Sequence, residues 1–266
     1  SWNETHYQLA LNDPNFGLQH GWYEDPSNWK TFNQLFARYL KSPQMRPIAS
    51  ADVDSVVVAF ADSQPQGIWA IDGNSNLVDK EGVPVKSATL KSVSALIGDH
   101  SAYKDAFANG TLTHSFLNVN DYHRYHFPLS GTVKELKIVQ GINPTGGEIW
   151  WDNENKRYAF NPASKTGWQS VETRGSLILE TEEYGLVALL PIGMAVVGSV
   201  NFEDNLTPGT TVEKGDMLGH FAFGGSDFVM VFQEHVHFQL EAPMEADGQT
   251  YKHMLMGERL GSLTTK

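Results

Sequence analysis

Apolar residues recur at two different spacings along the chain, and the change from one to the other organises it. Near the N-terminus, Trp29, Phe32, Leu35, Phe36, Tyr39 and Leu40 stand three and four residues apart, the repeat of one buried helix face. Ser27 or Asn28 is the expected cap and Ser42-Pro43 the expected stop, so residues 1–47 read as a helical, aromatic-rich opening segment. Val56-Val57-Val58-Ala59-Phe60 is then a continuous β-prone run that ends at Ala61-Asp62-Ser63. Ile68 to Ile71 predicts a second strand with Asp72-Gly73-Asn74 as its turn, and short amphipathic helices are expected at Leu90–Ile97 and Ala102–Ala108. Strands dominate the rest, at 115–119, 132–139, 176–181, 185–191, 195–202, 219–223, 228–232 and 235–240, with glycine and proline between them. Gly141 to Gly167 is polar, Trp-containing and weakly periodic, and reads as a long excursion or lid.

This pattern predicts an α+β, β-rich fold. Pro128 to Val133 and Leu206 to Gly219 set glycines between β-branched residues and look like the turns of a barrel-sandwich-hybrid core. No internal repeat, low-complexity tract or linker interrupts the chain, so residues 1–266 are expected to form a single domain.

Composition narrows the function. Hydrophobic content of 41% and charged content of 19% over 266 residues suit a globular domain with a sizeable core. A formal net charge of −12 argues against a nucleic-acid partner and against generic adhesion to anionic lipid, leaving at most peripheral membrane contact. With no cysteine, disulfides, thiolate metal sites and a cysteine nucleophile are excluded. No apolar run approaches the length of a transmembrane helix. The chain opens on Ser1 in place of methionine, so the expectation is that a leader, tag or extension was removed, and targeting information with it. A cytoplasmic or membrane-peripheral location is the resulting expectation.

The candidate chemistry centres on Gly224-Gly225-Ser226-Asp227, followed at once by the apolar run Phe228 to Phe232. Gly225 has no side chain to shield its carbonyl from a neighbouring hydroxyl. A serine hydroxyl is too weakly acidic to attack unaided and needs a positioned base, and His123 and His126 are bases of suitable type. Taken singly, each residue also has an ordinary reading: a loop triplet, core or surface histidines, and for Asp62 a turn carboxylate. His235 and His237 alternate along a strand and fit either a solvated face or a metal pair, and with no further ligand at a recognisable spacing no metal is expected. Arg174, in Glu172-Thr173-Arg174, fits a site residue or the partner of a carboxylate.

Several segments in order resemble the phosphatidylserine decarboxylase family. They are Phe32 to Leu40 with Arg46-Pro47-Ile48, Val57 to Asp62, Asp121-Tyr122-His123-Arg124-Tyr125-His126, Gly193 to Val200, and Lys214-Gly215-Asp216 through Ser226. The resemblance implies that Asp62, His126 and Ser226 form a serine-protease-like triad acting in cis. Self-cleavage between Gly225 and Ser226 would give a β chain of residues 1–225 and an α chain of 226–266 whose first residue becomes a pyruvoyl group. It further implies decarboxylation of an α-amino carboxylate through a Schiff base, with His123 handling protons, phosphatidylserine as substrate and a homodimer as the assembly. A soluble aromatic amino-acid decarboxylase of the same family is the alternative, and a non-processing pseudoenzyme or binding module the alternative of another class. The sequence departs from the family pattern at Asp227, where threonine or serine is usual, and at Ser63 and Ser87, where glycine is usual. A carboxylate at 227 would oppose negative charge developing at residue 226 unless it points away.

Overall fold

The computed structural model describes residues 4–78, 92–141, 147–152, 157–162, 172–193, 199–222 and 226–266. Helices are short: α1 (Glu4–Asn12), α2 (Phe32–Phe36) and α3 (Val93–Ile97). Strands follow in chain order as β1 (Val56–Val58), β2 (Gln64–Ile71), β3 (Leu77–Val78), β4 (Thr111–Leu117), β5 (Arg124–His126), β6 (Gly131–Val139), β7 (Gly147–Asp152) and β8 (Arg157–Pro162). The remainder are β9 (Arg174–Glu180), β10 (Leu186–Gly193), β11 (Val200–Phe202), β12 (Thr211–Val212), β13 (Met217–Phe221), β14 (Ser226–Phe232), β15 (Val236–Leu240) and β16 (Arg259–Thr265).

An eight-stranded antiparallel sheet in the order β12-β6-β9-β10-β14-β4-β2-β3 forms the centre. The sequence runs of β10 and β14 are apolar at nearly every position because both faces of these strands are covered. On one face Val187, Leu189, Phe228, Met230 and Phe232 meet the three-stranded sheets β1-β16-β15 and β11-β13-β5, through Val57, Phe238, Leu263, Leu218 and Phe221. On the other, Ala188, Leu190, Val229 and Val231 pack under α3 and Phe107. The α+β, β-rich class expected from the sequence is therefore present, arranged as layered sheets.

The opening segment departs from its predicted form. α2 starts at Thr31, whose side chain accepts from Gln34 N while Gln34 Oε1 accepts from Thr31 N, a reciprocal capping box. It ends at Phe36 because residues 38–41 turn back along 22–24: Glu24 N donates to Tyr39 O, and Lys41 N to Trp22 O. Tyr39 is thus exposed, although it belongs to the helical spacing. Trp29, Leu35, Phe16, Tyr23 and Tyr122 form a separate aromatic cluster that fastens this segment to the body.

Ala102–Ala108 is a succession of turns and not a helix; Glu135 accepts from Ala102 N, and Phe107 supplies the apolar anchor. The 141–167 excursion contains the β7–β8 hairpin, and its remaining residues past Gly141 lie outside the described residues, as do Ser87, Gly225 and positions 195–198 of the strand expected at 195–202. No described helix is long and apolar enough to cross a membrane.

Candidate active site

Ser226 is the first residue of β14, between Gly193 of β10 and Leu117 of β4, and has no exposed surface. Strand alternation turns its side chain to the same face as Phe228, toward the β11-β13-β5 layer. There its Oγ lies 2.9 Å from His123 Nδ1. The opposite ring nitrogen, Nε2, is 2.8 Å from the carbonyl oxygen of Asn118. A carbonyl only accepts, so Nε2 carries the proton and Nδ1 presents its lone pair to the serine hydroxyl.

The ring is fixed by apolar contacts as well. Phe36, delivered by α2, stacks on it with centroids 3.6 Å apart, and Phe221 meets it edge-on at 6.3 Å. Burial in this setting lowers the His123 pKa to about 3; the Arg38 charge pushes the same way, and the bond to Asn118 opposes it. His123 is accordingly a neutral imidazole throughout the neutral range.

His126 is arranged differently. Its Nδ1 donates to Gly215 O at 2.8 Å, and Nε2 accepts from the Tyr122 hydroxyl at 3.1 Å. Burial lowers it to about 4, against the raising effects of the Gly215 bond and the Asp62 charge. Burial also raises the Tyr122 phenol, which stays protonated and acts as the donor in this pair.

Asp62, at the end of the run that contains β1, is held by Arg46 through two contacts, Nε–Oδ1 at 3.0 Å and Nη2–Oδ2 at 2.6 Å. Met256 N adds a third bond to Oδ1 at 2.8 Å. Arg46 is itself wrapped by Trp22 and Tyr23; burial disfavours its charge, but the Asp62 carboxylate outweighs burial and raises its pKa. Of the residues named from the sequence, the structure joins Ser226 to His123. Among the described hydrogen bonds none joins His126 to Ser226, or Asp62 to either histidine.

Asp227 points away from this group. It shares the opposite sheet face with Val229, and His114 Nε2 lies 3.0 Å from its Oδ1. That distance suits an ion pair when the ring is protonated, but its angles do not make a hydrogen bond, and neither oxygen of Asp227 has a hydrogen-bond partner. Its charge is separated from the Ser226 hydroxyl by the sheet. The Arg174 guanidinium, from the start of β9, donates to Leu96 O and Ala95 O at the end of α3 and to Glu172 O just before its own strand. His235 and His237 are exposed at the rim of β15.

Residues 32–262 match the family described as phosphatidylserine decarboxylase. The chain belongs to that family. Among curated relatives, it is 33% identical over 251 residues to phosphatidylserine decarboxylase proenzyme 2 of Oryza sativa, covering 91% of this chain and 36% of the relative. It is 28% identical to proenzyme 3 of Schizosaccharomyces pombe, covering 88% of this chain and 22% of the relative. With the phosphatidylserine decarboxylase proenzyme of Chlamydia pneumoniae the identity is 30%, over 88% of this chain and 70% of the relative. This family member thus spans about a third of the rice protein and about a fifth of the fission-yeast protein.

Three parts of the site in this phosphatidylserine decarboxylase family member were not singled out from sequence: the Asn118 carbonyl, the Phe36 wall and the Tyr122 hydroxyl. A backbone acceptor leaves no mark in residue identity. The Asn118-Val119-Asn120-Asp121 run was nevertheless a readable turn signal, directly before the first histidine.

Proposed function

We propose that this chain is the precursor of a pyruvoyl-dependent decarboxylase, which cuts its own Gly225–Ser226 bond and then removes carbon dioxide from the serine headgroup of phosphatidylserine. The observation that carries this reading is the 2.9 Å contact between Ser226 Oγ and His123 Nδ1 at the head of a buried central strand. Family membership supports it, as do the proenzyme names of the relatives.

In the first stage His123 Nδ1 takes the Ser226 hydroxyl proton, and Oγ attacks the Gly225 carbonyl carbon. The amide nitrogen of residue 226 gains a proton and leaves as an amine, so an ester replaces the amide. Loss of the α-proton of residue 226 expels the Gly225 carboxylate and leaves dehydroalanine. Its imine tautomer takes up one water and releases ammonia, leaving a ketone. In this reading the base is His123, oriented by the Asn118 carbonyl, and His126 with Tyr122 stands behind it. With a pKa of about 3, His123 is always available as free base but is a reluctant proton acceptor. A step taken once per chain tolerates that slowness.

Residue 226 fits the group the family derives from serine: it is a buried hydroxyl side chain facing His123 Nδ1, opposite Leu117 on the neighbouring strand. The pyruvoyl group supplies an electron sink for the pair released as carbon dioxide departs. His123 Nδ1 then faces residue 226 as the group that takes up and returns a proton there, and the aromatic wall keeps water from it. Homodimerisation and peripheral contact with a lipid surface belong to the same proposal.

The test is carbon dioxide release from carboxyl-labelled phosphatidylserine in mixed micelles, set beside free tryptophan and free serine. Release from the phospholipid is expected. Release from a free amino acid alone would move the substrate to the soluble class, and no release from any of them would support a non-processing or binding role.

A further inference from the structure

The ring that faces Ser226 takes its orientation from the turn 118–121, and that turn is tied to the C-terminal part of the chain. Asn118 O accepts both from His123 Nε2 at 2.8 Å and from Asp121 N at 2.9 Å. The Asp121 carboxylate closes the turn from the other side, with Oδ2 accepting from Asn118 N at 2.7 Å. Its second oxygen, Oδ1, lies 2.9 Å from His253 Nε2. An unbroken series of contacts therefore runs from His253 through Asp121 and Asn118 to His123 and Ser226.

The segment carrying His253 is itself well anchored. Met254 exchanges backbone hydrogen bonds with Ser63 in both directions, and Met256 N binds Asp62. On the N-terminal side the turn is tied by Arg38 Nη2 to Asn120 O and by Asn120 Nδ2 to Asn15 O, each at 2.9 Å. His253 is the member of this set whose charged form its neighbours favour, through the Asp121 bond and the nearby carboxylates. Asp121 sits almost fully covered, whereas nearly half of the His253 side chain is exposed.

We propose that His253 is a positioning residue for His123: it clamps the 118–121 turn through Asp121, and thereby fixes the tautomer and aim of the ring that faces Ser226. The inference rests on the self-cleavage reading above. On that reading it has a second consequence, because His253 lies in residues 226–266 and Asp121 in residues 1–225. The clamp then joins two chains after the cut, carrying the orientation of His123 into the mature protein.

The clamp responds to pH. The groups facing His253 are Asp121 from the turn, Asp62 from the end of the β1 run and Glu258 from its own segment. Burial lowers the His253 pKa, but the Asp121 bond and these three charges outweigh burial, and the net direction is up. Burial raises Asp121 against the pull of His253, and of the two side chains the His253 ring is the one that reaches solvent. A raised histidine contributes its full tie below the unperturbed value of about 6.5 and loses it as pH climbs through the raised value. Displacement of a catalytic group by about 1 Å costs on the order of 10²-fold in rate.

The experiment has two arms. In the first, self-cleavage rates are followed between pH 6 and 9 for the wild type, His253→Ala and His253→Lys. The wild type should slow several-fold toward pH 9. His253→Ala should be slower by roughly 10- to 100-fold and lack that decline, and His253→Lys, charged throughout, should recover rate at pH 9. In the second arm, imidazole ¹⁵N spectra are recorded on Ser226→Ala with and without His253→Ala. Without the serine hydroxyl, the backbone of Asn118 and Val119 in the clamped turn holds the ring, so the His123 Nε2–H tautomer should be sharp in the single variant and mixed in the double. A His253→Ala chain that cleaves with the wild-type rate and profile, or an unchanged His123 spectrum, overturns the clamp. If no chain cleaves, wild type included, the functional reading fails and the spectra alone decide the clamp.

Discussion

At the scale of single residues, the site separates what must be lost for chemistry from what must be lost for stability. Ser226→Ala removes the nucleophile and leaves a volume the buried strand tolerates, so it should abolish cleavage while the thermal midpoint stays close to wild type, as differential scanning fluorimetry would record. His123→Ala should slow cleavage by about 10²- to 10⁴-fold, the usual contribution of a positioned base. Comparing it with His126→Ala discriminates between the two histidines: the 2.9 Å contact assigns the larger loss to His123. Asp62 needs more care. It is a buried carboxylate bonded twice to Arg46 and once to Met256 N, so Asp62→Ala leaves a buried guanidinium uncompensated and should cost about 3–5 kcal/mol of stability. Denaturant unfolding of that variant measures the cost, and a loss of activity without it would point to a direct catalytic role.

At the scale of elements, local signals and long-range contacts contributed unequally to what could be read. The strands β10 and β14 are legible because burial on both faces makes residues 186–190 and 228–232 continuous apolar runs. The spacing from Trp29 to Leu40 was misleading, since the backbone bonds of 38–41 to 22–24 form only in the folded chain and stop the helix at Phe36. β16 has no clear strand pattern in the sequence although Leu260 and Leu263 are buried, because its other positions are small or polar. The site divided in the same way. Residue types and motif order pointed to Ser226, His123, His126 and Asp62. Which histidine meets the serine was hidden, because it depends on Phe36 and Phe221 arriving from distant elements. A five-residue helix such as α2 is not stable alone, so its cap carries weight. Thr31→Ala should cost about 1 kcal/mol and slow cleavage through the loss of a well-seated Phe36, whereas Thr31→Ser should retain both.

At the scale of the whole molecule, the two buried histidines make the fold acid-sensitive. Both are depressed, His123 to about 3 and His126 to about 4, whereas in the unfolded chain they take up protons near 6.5. Between those limits the unfolded state binds more protons, so stability is full above about pH 6.5 and falls as pH drops toward the folded values. Guanidinium unfolding at pH 7 and pH 4.5 should differ by a few kcal/mol at the order-of-magnitude level, and His123→Gln should narrow the gap. A gap of the same size in that variant would mean that the buried ring does not carry the effect.

The central claim is that this chain cuts itself before Ser226, and intact mass of the purified, denatured protein tests it most directly. The account predicts two species, residues 1–225 and residues 226–266, the second lighter than its genetic sequence because a ketone has replaced the amine of residue 226. Ser226→Ala should give one full-length chain. A wild-type protein that remains a single chain of unaltered mass after prolonged incubation at neutral pH would contradict the account.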